Sequence, residues 1–206
     1  MAGQDALIAQ AVEVLRRGGV VACPTETLVG LLVDARDESA VARLCAIKGR
    51  PEATPIALIV PDANWAGRVI ELDEYASALA QRHWPGPLTL VGRARGRWPA
   101  PITRQGTVGV RVPGPSPAAL LVRAFDGPLT ATSANRSGAP PARDEREARA
   151  ALGDEVDFYV PGASPGGPPS TVLDVTVWPP RLVRAGAVDV PEAVPSVPRS
   201  TDEGPR

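Results

Sequence analysis

Apolar residues at Leu7, Ile8, Ala11, Val12 and Leu15 recur at helical spacing, and Gly18-Gly19 ends the pattern. The spacing predicts an amphipathic first helix with Asp5 as its N-cap. The period then shortens. Val20 to Cys23 is a brief apolar run bounded by Pro24, which reads as a buried strand delivering Pro24-Thr25-Glu26-Thr27 to a loop at its carboxyl end. A second helical stripe, Val41, Leu44, Cys45 and Ile47, runs from Ser39 as N-cap to the corner Lys48-Gly49-Arg50-Pro51. Pro51 disfavours helical geometry at Arg50, so the helix ends there and presents its cations.

Strands and helices continue to alternate. Ile56 to Val60 reads as a strand, Asp73 to Trp84 as a helix with Trp84 plugging the core, and Leu88 to Val91 as a strand after the stiff corner Trp84-Pro85-Gly86-Pro87. Thr107 to Val112 alternates cleanly, with Val108, Val110 and Val112 on one face and Thr107, Gly109 and Arg111 on the other. Pro117 to Phe125 is predicted as a helix, and Leu129 to Ala131 as a strand entering the polar loop Thr132-Ser133-Ala134-Asn135-Arg136-Ser137-Gly138. A surface helix over Asp144 to Leu152, a loop over Pro161 to Pro169, and strands over Ser170 to Val175 and Arg181 to Arg184 complete an α/β pattern. After Ala187 the chain is proline-rich without periodicity, which predicts a disordered or loosely draped tail.

The 206 residues suffice for one well-cored domain, and no composition break calls for a second. Aromatics make only 4% of the chain and the net charge is -1, which disfavours binding nucleic acid over the whole surface and points to small anions as partners. Cys23 and Cys45 lack metal or redox spacing and are expected as buried free thiols, while the single histidine, His83, is expected to be structural. No leader and no apolar run of membrane-spanning length is evident, which predicts a cytoplasmic protein.

The candidate chemistry is dispersed. Lys48 and Arg50 pair a compact ammonium with a planar fork suited to an anion with several oxygens; the alternative is an ordinary basic helix end favoured by the dipole. Thr25 and Thr27 either meet a ligand at a strand's carboxyl end or cap a turn, and the Ser133 to Gly138 loop either cradles an anion or forms a side-chain turn. Arg111 is an anion contact only if its face lines a concave site. The GxxxxGK[ST] and GxGxxG patterns are absent, which disfavours Walker NTPases and dinucleotide enzymes with the common fingerprint. Gly162-Ala163-Ser164-Pro165-Gly166 spells GxSxG, but it falls within the Gly/Pro-rich loop rather than at a strand-to-helix turn, which disfavours an α/β-hydrolase.

Taken together, Pro24-Thr25-Glu26-Thr27, Lys48-Gly49-Arg50-Pro51, Trp84-Pro85-Gly86-Pro87-Leu88-Thr89, Val108 to Pro113, Ser133 to Gly138 and Ser170-Thr171-Val172 resemble, in order and spacing, the YrdC-like family, from about Leu7 to Val188. The resemblance implies a twisted mixed β-sheet with flanking helices around a concave basic cleft, in a domain over 1–188 followed by a tail over 189–206. It also implies a threonylcarbamoyl-AMP synthase, a nucleotidyltransferase that joins L-threonine, bicarbonate or CO2, and ATP, releases pyrophosphate and serves tRNA t6A37 modification. By motif position Arg50, Thr54, Thr107, Ser133, Asn135 and Arg184 would contact ATP, while Thr27, Arg111, the Ala131 backbone and Ser170 would hold threonine. Lys48 and Arg50 would carry the catalytic charge, and Mg2+ would arrive through ATP with no protein side-chain ligand.

The chain resembles the short single-domain form of the family, and this resemblance implies separate partner proteins for transfer to tRNA. Val29 replaces a usual aromatic and Ile59 a frequent histidine, so both are expected to alter the wall that selects the amino acid. The alternatives are a non-catalytic paralogue binding tRNA or double-stranded RNA, and a carbamoyl-adenylate-forming domain of the carbamoyltransferase type.

Overall fold

The first helical stripe folds as α1 (Ala2–Arg16), which begins upstream of Asp5 and places that residue in its first turn rather than at the cap. Its charge still complements the helix dipole there. Gly18, at φ +76°, turns the chain toward β1 (Val21–Pro24), which pairs antiparallel with β2 (Val29–Leu32). The next helix, α2 (Glu38–Lys48), is capped by Asp37 and not by Ser39: the Asp37 carboxylate accepts from the Ser39 N–H at 2.9 Å and the Ala40 N–H at 3.1 Å. Gly49 closes this helix at φ +56°, a left-handed position that suits glycine.

The remaining elements follow as β3 (Ala57–Ile59), α3 (Ala63–Val69), α4 (Glu74–His83), β4 (Leu88–Arg93), β5 (Thr107–Arg111), α5 (Pro117–Phe125), β6 (Leu129–Ser133), α6 (Glu145–Leu152), β7 (Phe158–Tyr159), β8 (Thr171–Asp174), β9 (Arg181–Arg184) and β10 (Val194–Pro195). This computed structural model describes residues 2–49, 55–190 and 194–195; Arg50, Pro51 and Thr54 lie outside them. All strands join one mixed, twisted sheet in the order β10-β9-β8-β4-β5-β3-β6-β2-β1-β7. Thr132 and Ser133, expected in a loop, are the last residues of β6 and pair with Leu31 and Gly30.

Two apolar layers cover the sheet. One packs Val41, Leu44 and Ile47 of α2 and Leu79 of α4 against Leu58, Leu88, Leu90, Val108, Val110 and Leu173. The other packs Ile8, Val12 and Leu15 of α1 and Leu121, Val122 and Phe125 of α5 against Val21, Leu32, Ile59 and Leu129. Cys23 is fully buried, but Cys45 is only half-buried, at the edge of the first layer. Trp84 packs against that layer while half-exposed, and its indole donates to the Leu88 carbonyl at 2.7 Å. Because paired residues on neighbouring strands face the same way, Arg111, opposite Ile59, shares the face that α1 and α5 cover. Those helices cover only one end of it, and β4, β5 and β8 are left open.

The chain beyond Ala187 is held at its start. The Thr171 hydroxyl donates to the Val188 carbonyl at 2.6 Å and accepts from its N–H at 2.9 Å, Val190 is buried, and β10 pairs with β9. Residues 191–193 and 196–206 of the expected tail lie outside the described residues. Gly186 makes this docking feasible, since a Cβ there would stand 2.2 Å from the Pro169 oxygen and 2.5 Å from the Thr171 nitrogen. Gly186→Ala is therefore expected to destabilise the fold by roughly 1–3 kcal/mol, as overpacking does. A urea midpoint equal to that of the parent would contradict this close approach.

Candidate active site

The uncovered face forms a cleft of about 1070 Å³. Alternating residues of three neighbouring strands build its floor: Thr89, Val91 and Arg93 of β4, Thr107, Gly109 and Arg111 of β5, and Val172 and Asp174 of β8. Gly109 keeps the floor low, since a Cβ there would touch Thr89 Cγ2 at 3.3 Å and Ala57 Cβ at 3.6 Å.

Arg111 is the most buried cation of this floor. Its Nη1 donates to Glu26 Oε1 at 2.7 Å, with side-chain exposures of 6% and 12%. Burial pulls the guanidinium below its ordinary value, and the Glu26 charge offsets only part of that. Arg184 stands close enough for the Arg111 charge to act on it: burial first, then repulsion from Arg111, lowers its pKa as well. Both stay charged as arginines, and both line the cleft, where they can meet an anion. Arg184 also donates to the Ser170 carbonyl at 2.8 Å and to Ser170 Oγ at 3.0 Å, and that hydroxyl lies 3.0 Å from Thr89 Oγ1.

Thr25 organises the loop after β1. Its hydroxyl donates to the Leu28 carbonyl at 2.7 Å and accepts from the Thr27 and Leu28 N–H groups, a side-chain turn that sets Thr27 on the cleft wall. Thr107 lines the opposite side and donates to the Arg104 carbonyl at 2.8 Å. Ala131 and Ser133 line the wall contributed by β6.

Lys48 and Asn135 are not among the lining residues, yet they hold that wall in place. The buried Lys48 ammonium donates to the Ser133 carbonyl at 2.6 Å and to Asn135 Oδ1 at 2.7 Å, while Ser133 Oγ donates to the same amide oxygen at 2.6 Å. The Ser137 N–H donates to the Lys48 carbonyl at 2.8 Å, satisfying one of the orphan acceptors at the end of α2. Lys48 at the end of α2 and the Ser133-Ala134-Asn135 segment are thus one unit.

Of the residues singled out from sequence, Thr27, Thr107, Arg111, Ala131, Ser133, Ser170 and Arg184 meet in this cleft, with Lys48 and Asn135 directly behind it. Arg50 and Thr54 lie outside the described residues. Val29 does line the cleft, but Ile59 lies in the α1/α5 layer and is not part of the wall, because the helices cover its end of the sheet. Sequence reading passed over Glu26, Thr89 and the Asp174–Arg181 pair, the last joined at 2.6 Å. Only Thr89 had a usable signal, its alternation with the buried Leu88 and Leu90. Among the described residues no three His, Cys, Asp or Glu side chains converge on a metal position, and no helix is long and apolar enough to cross a membrane.

The Sua5/YciO/YrdC family model, described as "Telomere recombination", matches residues 13–186. The chain belongs to this family. The threonylcarbamoyl-AMP synthase of Halorhodospira halophila is 42% identical over 151 residues, which are 72% of this chain and 78% of that protein. The crystal structure of Pyrococcus abyssi Sua5 complexed with L-threonine superposes with a TM-score of 0.83 at 37% identity, covering 87% of this chain and 54% of that one. The chain thus spans about half of that Sua5 protein. Escherichia coli YciO superposes with a TM-score of 0.84 at 30% identity, covering 92% of this chain and 93% of YciO. The mixed sheet with flanking helices is therefore the Sua5/YciO/YrdC fold.

Proposed function

We propose that the cleft makes threonylcarbamoyl-AMP from L-threonine, bicarbonate or CO2, and ATP, with release of pyrophosphate, in the pathway to tRNA t6A37. The observation that carries this is the meeting of Arg111 and Arg184 with the hydroxyls of Thr27, Ser170, Ser133 and Thr107 in one cavity. One buried Arg suits an amino-acid carboxylate; the second, with fixed hydroxyl donors, suits phosphate oxygens. Arg111, Thr27, Ser170 and the Ala131 backbone hold threonine, while Arg184, Thr107 and Ser133, together with Arg50 and Thr54, hold ATP. Because Arg111 and Arg184 line the same cleft, the two substrates lie side by side on this reading.

The threonine amine captures CO2 and loses a proton to give a carbamate. A carbamate oxygen then attacks the α-phosphorus in line, and the bond to the β-phosphate oxygen breaks as pyrophosphate leaves. Positioning and charge supply the rate, so no strong general base is needed. Mg2+ bound to the triphosphate would neutralise its charge; Asp174, already engaged by Arg181 and Thr176, is a poor direct ligand. Lys48 acts through Ser133 and Asn135, as a positioning residue for the ATP wall. A cytoplasmic enzyme that hands its adenylate to separate tRNA-modifying proteins fits this reading.

The test is incubation with ATP, Mg2+ and bicarbonate plus threonine, serine or no amino acid, followed by mass spectrometry of the adenylate. Threonine-dependent threonylcarbamoyl-AMP with stoichiometric pyrophosphate is expected. Bound nucleotide with no adenylate would defeat the synthase reading and favour an RNA-binding role.

A further inference from the structure

Glu26 has no part in the roles assigned above, yet among the described residues it is the sole carboxylate paired with the cleft's buried arginine. Its Oε1 takes Arg111 Nη1 at 2.7 Å, while its Oε2 is buried with no hydrogen-bond partner. A carboxylate that served only to knit the fold would use both oxygens, because an unmatched buried acceptor is costly. Glu26 packs behind Arg111: the absent Cβ of Gly114 would stand 3.2 Å from Glu26 Cγ, so glycine makes room for it, and Glu26 does not itself line the cleft. Arg111 makes no other hydrogen bond to a described residue, which leaves its remaining donors for the cleft. Arg184 lines the same cleft but is exposed and is assigned to ATP above. The Arg111–Glu26 pair is buried and carries no net charge of its own.

We infer that Glu26 is a positioning residue that sets the charge of the amino-acid subsite, tuning it to one carboxylate and against doubly charged anions. A single carboxylate on the free Arg111 donors adds one negative charge to this neutral pair. A sulfate or phosphate dianion adds two and meets twice the repulsion from the Glu26 carboxylate. The inference rests on the synthase reading for its substrate, but its anion preference is measurable without turnover.

Glu26→Gln keeps an oxygen for Arg111 and deletes the charge. In this variant, sulfate is expected to compete with threonine roughly tenfold more strongly at saturating ATP, with kcat within about twofold of the parent. Sulfate should also raise the melting temperature of the variant more than that of the parent, by linkage to the folded state. Unchanged sulfate competition and an unchanged sulfate increment in melting would overturn the inference. A lower kcat with threonine KM and sulfate response unaltered would also overturn it, by giving Glu26 a part in the chemical step.

Should Glu26→Gln fail to fold, Glu26→Asp retains the charge at a shorter reach. It should keep the parent's weak sulfate response while raising threonine KM; a strengthened sulfate response in this variant would refute a role for the charge. If the parent makes no adenylate, the synthase reading fails, and the melting comparison still decides the charge inference.

Discussion

Lys48→Met is expected to weaken fold and activity together. The methylenes of Lys48 keep a substitute, but the Ser133 carbonyl and Asn135 Oδ1, now 2.6 Å and 2.7 Å from the ammonium, lose their charged donor in a buried setting. Each acceptor keeps a neutral donor, the Asn135 N–H for the carbonyl at 3.0 Å and Ser133 Oγ for the amide oxygen at 2.6 Å. The cost is therefore that of two charge-assisted hydrogen bonds at about 1.5–3 kcal/mol each, and a loss of roughly 3–6 kcal/mol in urea unfolding is expected. Ser133 sits on the cleft wall, and displacement of about 1 Å at a substrate-positioning group can cost about 100-fold in rate. Adenylate formation should fall by at least that factor. Asn135→Ala should reproduce part of both effects, and the double variant should lose less than the sum, since the side chains act as one network. A parent-like urea midpoint with activity abolished would instead put the Lys48 ammonium on the substrate itself. Parent-like stability and activity together would remove the unit altogether.

How much of this arrangement is legible in the sequence depends on whether a residue's role comes from its neighbours in the chain or in space. The alternation around Val108 and Val110 set Arg111 on the face opposite theirs, and the structure puts it there, on the side that α1 and α5 partly cover. Helix α5 spans the predicted Pro117 to Phe125 because a serine cap, Pro at N1 and an apolar stripe agree locally. Val29-Gly30-Leu31-Leu32 went unread as a strand: it is buried on both faces and so lacks alternation. Ser39 and Asp37 are both good cap formers, and the path of the chain out of β2 selects Asp37.

In the site, the six motifs are local and visible, whereas their contacts are not. Lys48 and Asn135 are 87 residues apart, and Arg111 and Glu26 are 85 apart. Each contact requires the sheet order that brings β6 beside β2 and β5 beside β3. Ile59 shows the converse. Its replacement of a polar residue looks like a change in the substrate wall, but the two helices that cover its end of the sheet turn it into core. Val29, by contrast, is on the open part and lines the cleft.

Arg111→Leu separates the two demands on that residue. Removing the guanidinium leaves Glu26 buried without its partner, and breaking a buried ion pair from one side destabilises by about 3–5 kcal/mol. Threonine KM should rise by about 100-fold or more, because the carboxylate loses its charged anchor, while ATP binding is largely kept through Arg184. Arg184 should also lose the repulsion that Arg111 exerts on it. The companion variant, Arg111→Leu with Glu26→Leu, replaces the pair by apolar groups and should recover most of the lost stability. It should not recover threonine use, since no cation returns. Recovery of both would mean that Arg111 serves the fold alone and that threonine is read elsewhere in the cleft. Equal loss of ATP and threonine binding in the single variant would mean that Arg111 and Arg184 share one substrate rather than dividing two.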